Sequence, residues 1–216
     1  FCELEDMHHR LEISSLSHDQ DARGRHILQQ IRDVLGLPAV GVRVRDVYSI
    51  HADIDMDEGR RIMEEIINPI TQRGLLGNSE HDEFDWLIIV AFLPGVTDNV
   101  GRTAGQAIAD ILARPLKDSE HLYSSIEYLI FGPNLDHNQV ESIAYGLLAN
   151  PLIHEVTILS RLDWQLNGLP MNKPTVSDSI EIGVDMIDVN IGESELKELS
   201  FQRGLALSVV EMQAIK

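Results

Sequence analysis

Asp21-Ala-Arg-Gly-Arg25 returns as Asp98-Asn-Val-Gly-Arg102, 77 residues further along the chain. Each copy follows an apolar segment and opens a helix-like one. Each is followed by an Asn-Pro pair, Asn68-Pro69 and Asn150-Pro151. Apolar positions match at the same offset: Leu11 with Ile88, Ile13 with Val90, Leu16 with Leu93, Ile31 with Ile108 and Leu35 with Leu112. A repeat of this length decides the architecture before any local reading. Two tandem copies of one module form a pseudo-dimer within one chain, by the logic of a symmetric interface.

Working outward, the first copy opens on His9–Leu16, where Leu11 and Ile13 alternate as in a strand. Asp19 to Asp21 supply helix-start chemistry. Ile27, Leu28, Ile31, Val34 and Leu35 then recur at helical spacing until Gly36. Val40, Val42 and Val44 alternate, and Val47 to Ile54 continues as a second extended stretch, with Arg45-Asp46 expected to mark a turn between them. Asp55 to Glu58 start another helix, which Asn68-Pro69 stops. Ile70 to Leu76 reads as an edge strand. The second copy repeats the order: strand Phe84–Leu93, a Pro94-Gly95 turn, helix Asp98–Ala113, extended Leu122–Phe131, helix His137–Ala149 and strand Ile153–Leu159. The expectation is α+β: two tandem ferredoxin-like β-α-β-β-α-β modules, with sheets that pair or pack face to face and helices on the other face.

The domain plan is a disordered leader over 1–7, a first module over 8–76, a linker over 77–83, a second module over 84–159 and a connector over 160–216. Gly168, Pro170 and Pro174 make 161–180 read as irregular. A short strand is expected within Glu181–Ile191 and a helix over Ser194–Ser200. Ser208-Val-Val-Glu211 forms a capping box opening a last helix. The chain starts at Phe1 and reaches Lys216 about two turns into that helix, so a continuation beyond it is expected.

Composition excludes more than it assigns. Lys plus Arg number 17 against 35 Asp plus Glu, a formal charge of −18. Nucleic-acid binding needs a basic footprint, and anionic membranes attract basic segments, so neither partner is expected. The lone Cys2 permits no intrachain disulfide, which fits a reducing, cytoplasmic setting. The longest apolar run, Trp86 to Leu93, is too short to span a bilayer.

The chemistry-bearing patterns are weak. Asp-x-x-Gly-Arg reads best as structure: the Asp caps a helix and Gly permits close packing, with Arg bonding across the module. The expected repeat signature is therefore Asp21, Gly24, Arg25, Asn68, Pro69, Asp98, Gly101, Arg102, Asn150 and Pro151. Asp53-Ile-Asp-Met-Asp-Glu-Gly59 with Glu64 resembles a calcium loop, but the glycine that such a loop needs at its sixth position is Glu58 here. The nine histidines show no H-E-x-x-H spacing. Phosphate-loop, dinucleotide and hydrolase phrases are lacking. No catalytic, cofactor or metal residue is assigned.

The second copy carries a resemblance. Phe92-Leu-Pro-Gly-Val-Thr-Asp-Asn-Val-Gly-Arg-Thr103 resembles the opening strand-turn-helix of the small accessory subunit of phosphoribosylformylglycinamidine synthase. Leu147-Leu-Ala-Asn-Pro-Leu-Ile153 is similar to the end of its second helix. Glu195-Leu-Lys-Glu-Leu-Ser200 and Leu205-Ala-Leu-Ser-Val-Val-Glu-Met-Gln-Ala-Ile215 are similar to the connector into the synthetase core of the fused enzymes. The first copy departs, with Ser17-His18-Asp19 in place of Pro94-Gly95-Val96. The resemblance implies a parent ligase of purine synthesis that uses ATP, Mg and glutamine-derived ammonia to make an amidine from formylglycinamide ribonucleotide. It implies a non-catalytic scaffold role for this segment, with the synthetase core and the glutaminase of the same enzyme as partners. Self-association into a homo-oligomer is a further expectation. The alternative is a free-standing regulatory module that binds a small metabolite between its copies.

Overall fold

The structure is a computed structural model, and it describes residues 8–77, 83–169, 190–202, 205 and 207–215. The expected leader, most of the 77–83 linker and the strand expected within Glu181–Ile191 lie outside the described residues, apart from the last positions of that strand. The chain divides into two compact units, 1–176 and 177–216.

The first unit is α+β. Its strands are β1 (His8–Ser15), β2 (Gly41–His51), β3 (Gln72–Leu76), β4 (Trp86–Phe92), β5 (His121–Phe131) and β6 (His154–Ser160). They form one antiparallel sheet in the order β3-β1-β2-β5-β4-β6. Between them run α1 (Ala22–Asp33), α2 (Met56–Ile66), α3 (Asn99–Leu112) and α4 (His137–Ile143). Each half therefore has the same order of elements and the same strand pairing, joined along β2 and β5.

The turn expected at Arg45-Asp46 is absent. β2 runs straight through it for 11 residues, as β5 does in the second half. Neither Arg45-Asp46 nor Ser125-Ile126 carries the glycine that completes the favoured tight hairpin turns. The alternation looked broken because Asp46 occupies a position on the helix-bearing face. There Arg23 of α1 grips it through both carboxylate oxygens, at 2.9 and 2.8 Å.

This straight strand exchanges helices between the repeats. One core joins Ile31 of α1 and Val42 and Val44 of β2 to Ile88, Val90, Ile130, Val140 and Ile143 of the second copy. The other joins Leu11, Ile13, Ile50 and Ile62 of the first copy to Ile108 of α3. The ferredoxin-like strand order is thus completed across the repeats: β3, β1 and the end of β2 are flanked by the start of β5, under α2 and α3. All of the isoleucines named except Ile13 are at most 1% exposed, and each fully buried side chain of this size contributes about 1.5–3 kcal/mol.

One residue more separates cap from Asn-Pro turn in the second copy than in the first: Asp55 to Asn68 against Asp136 to Asn150. A single π-helical turn, Ala144–Leu148, absorbs the insertion, with Ala149 N–H donating to the Ala144 carbonyl at 2.8 Å. Such bulges accommodate an added residue without breaking the helix.

The 161–180 stretch is not wholly irregular. Ser160 and Asp163 form a capping box that opens α5 (Arg161–Asn167), and Gly168 at φ +70° ends it. Leu162 and Leu166 are exposed, so the helix shows little apolar periodicity in sequence. Trp164 is its one side chain that is not exposed, with its ring 5.4 Å from Phe84, and Arg161 N donates to the Asp85 carbonyl at 3.0 Å. In the second unit, α6 (Glu193–Gln202) and α7 (Val209–Ile215) bury Leu196 and Met212. The Ser208–Glu211 box opens α7.

Candidate functional site

The two motif aspartates do the same job twice. Asp21 caps α1 by accepting from Gly24 N at 2.7 Å and also accepts from Val44 N of β2 at 2.8 Å. Asp98 accepts from Gly101 N at 2.7 Å and from Ser124 N of β5 at 2.6 Å. Each carboxylate thus satisfies a helix-end donor and a strand donor beyond the reach of the flanking strand. The glycines are sterically required. A Cβ on Gly24 would collide with the Val42 carbonyl, and one on Gly101 would sit 3.0 Å from the Leu122 carbonyl and overlap Asp98.

The motif arginines diverge. Arg25 donates to the Asp19 carbonyl. Arg102 is exposed and lines a cleft, so the expected bond across the module is not among the bonds made by the described residues. The Asn-Pro turns are equivalent. Asn68 Oδ1 accepts from Ile70 N and Asn150 Oδ1 from Leu152 N, both at 3.0 Å. Pro69 and Pro151 follow them, and Ile70 and Leu152 project from the two turns at 80% and 82% exposure.

The acidic 53–64 segment is dispersed among other partners. Asp53 pairs with Lys117 at 3.1 Å, while Asp55 caps α2 and Glu58 closes its box. His8, His51 and His121 do converge, opposite one another on β1, β2 and β5. No group of three metal-ligating side chains disposed to hold an ion occurs among the described residues.

On the sheet face away from α1–α4, Arg10, Glu12, Arg45 and Glu127 close a ring of ion pairs. Arg10 reaches Glu12 at 2.9 Å and Glu127 at 2.6 Å; Arg45 reaches the same two carboxylates at 2.9 and 2.6 Å. Glu127 is fully buried. Burial pushes the Glu12 carboxyl above its ordinary value, opposed by the two guanidiniums. Sequence reasoning missed this ring. The available signal was Arg10-x-Glu12 and Arg45 on strands whose other faces are apolar.

Each repeat also carries a cleft beside its first strand-helix turn. In the second copy a cavity of about 340 Å³ is lined by Phe92 to Val96, Asp98, Arg102, Tyr123, Ser125, Glu155 and Ser49. In the first, a cavity of about 200 Å³ is lined by Ser14, Arg43, Arg45, Arg73 and Leu129 among others. A narrow recess of about 40 Å³ bounded by Ser14, Ser15, Ser17, His18 and Asp21 adjoins it. Superposing the repeats through their bonds and registers sets Arg43 against Tyr123, Arg45 against Ser125, Arg73 against Glu155 and Ser14 against Ala91. The two clefts occupy equivalent positions, and their chemistry differs.

Among the described residues, no helix is long and apolar enough to cross a membrane. Neither a scan against protein-family models nor a search of curated proteins returned a match to this chain.

Proposed function

We propose that this chain is a non-catalytic N-terminal scaffold segment of a cytoplasmic phosphoribosylformylglycinamidine synthase, docking the glutaminase to the synthetase core. The parent reaction activates the amide oxygen of formylglycinamide ribonucleotide with Mg-ATP, and glutamine-derived ammonia displaces the phosphate. The resemblance at Phe92–Thr103 and Leu147–Ile153 suggests the family. The observation that carries a docking role is the duplicated apolar projection, Ile70 and Leu152, on two equivalent Asn-Pro turns of one interlocked body. Isolated exposed apolar residues are ordinary. A pair repeated at equivalent positions of a duplicated fold is a recognition feature suited to gripping two protein parts at a fixed separation.

The test is turnover of formylglycinamide ribonucleotide by the synthetase core and glutaminase, with and without this chain. Glutamine-dependent turnover is expected to require the chain. An Ile70→Asp, Leu152→Asp double variant is expected to fail in restoring it, while ammonium-supported turnover stays unchanged. Equal glutamine-dependent turnover without the chain contradicts the role.

A further inference from the structure

The cleft of the first repeat differs from its twin by charge. Arg43, Arg45 and Arg73 line it where the second repeat has Tyr123, Ser125 and Glu155. Arg45 is neutralised within the four-membered ion ring, as is Glu12, the carboxylate in the cavity wall. Arg43 and Arg73 are not. Among the described residues, Arg43 meets only the face of Phe131, with its guanidinium carbon 6.0 Å from the ring centre. Arg73 donates one bond, from Nε to Ser14 Oγ at 3.0 Å. The Asp21 carboxylate bordering the recess is engaged by Gly24 N and Val44 N. Two guanidiniums without carboxylate partners among the described residues, in a chain of net charge −18, leave a local excess of two positive charges beside a cavity that the Ser14 hydroxyl also lines.

We propose that this cleft binds the phosphate group of a small phosphorylated metabolite. Arg43 and Arg73 supply the planar donor forks that match phosphate oxygens, and the hydroxyl of Ser14 borders the same cavity, with those of Ser15 and Ser17 on the adjoining recess. The excess of two charges matches a phosphate monoester dianion. The cavity of about 200 Å³ leaves room for a body of a few carbons beyond the phosphate. The twin cleft, with Glu155 in place of Arg73, repels the same group. This site stands independently of the scaffold role.

The test is calorimetric titration of the whole chain at low ionic strength with inorganic phosphate, glycerol 3-phosphate and glycerol. Low salt keeps exposed-charge attraction measurable. The site predicts one equivalent of glycerol 3-phosphate bound per chain, tighter than inorganic phosphate, and no heat from glycerol. The Arg43→Gln, Arg73→Gln double variant is expected to weaken binding by at least about tenfold, the equivalent of ~1.4 kcal/mol. Arg102→Gln, in the twin cleft, is expected to bind as the parent does, and circular dichroism checks that every variant is folded. Absence of phosphate binding, or equal affinity in the folded double variant, overturns the proposal.

Discussion

Gly24 and Gly101 sit where the first turn of a helix presses on a strand carbonyl, and the two sites differ in severity. An added Cβ at Gly24 collides with the Val42 carbonyl, which is backbone and cannot rotate away. At Gly101 the carbonyl is 3.0 Å away and the tighter contact is the Asp98 side chain. Gly24→Ala is expected to cost about 1–3 kcal/mol, as overpacking does, and Gly101→Ala less. Urea unfolding midpoints at constant slope measure both. Asp21 and Asp98 were legible as caps because acidic residues at a helix start have a local reason to be there. Their second bond, to Val44 or Ser124 on a distant strand, was not legible, because it depends on where the chain returns.

At the scale of elements, the ion ring ties β1, β2 and β5 together without an apolar contact. Removing one member strands a buried charge, so Glu127→Ala is expected to destabilise by about 3–5 kcal/mol. Replacing Arg10, Glu12, Arg45 and Glu127 together by apolar residues of similar volume is expected to be close to neutral, since the desolvation of all four charges is then avoided. Thermal unfolding of both variants distinguishes the two effects. The order of strands and helices could be read from apolar spacing, because burial of one face imposes it. The continuity of β2 could not. Asp46 breaks the alternation, and its partner Arg23 lies 23 residues back. Helix α5 escaped for a related reason: Trp164 carries its packing alone, and one aromatic residue makes no periodicity. The first cleft was equally hidden, since Arg43 and Arg73 lie on strands separated in the sheet by β1.

At the scale of the molecule, the repeats hold together through exchanged helices and through a clamp at Glu120. That carboxylate accepts from Arg114 at 2.7 and 3.0 Å, from Lys117 N at 2.7 Å and from Asp53 N of the other repeat at 3.0 Å. The Arg114 bonds, aided by the two backbone donors, hold it far below the usual carboxylate range, at about 2. A carboxyl depressed on folding stabilises the native state above its unfolded value and loses that contribution as pH falls through the folded one. The stability difference between the parent and Glu120→Gln is therefore expected to be full above the ordinary value of 4.5. It should shrink below that pH and vanish near pH 2, as followed by urea unfolding across that range. The scaffold role needs the two Asn-Pro turns fixed on one body, and the exchange of helices provides this. The most direct measurement is a methyl nuclear Overhauser spectrum of the whole chain with labelled isoleucines. Contacts are expected from Ile62 of α2 to Ile108 of α3, and from Ile31 of α1 to Ile143 of α4. Contacts joining Ile31 to Ile62, with none between the repeats, would contradict the exchange and the single frame built on it.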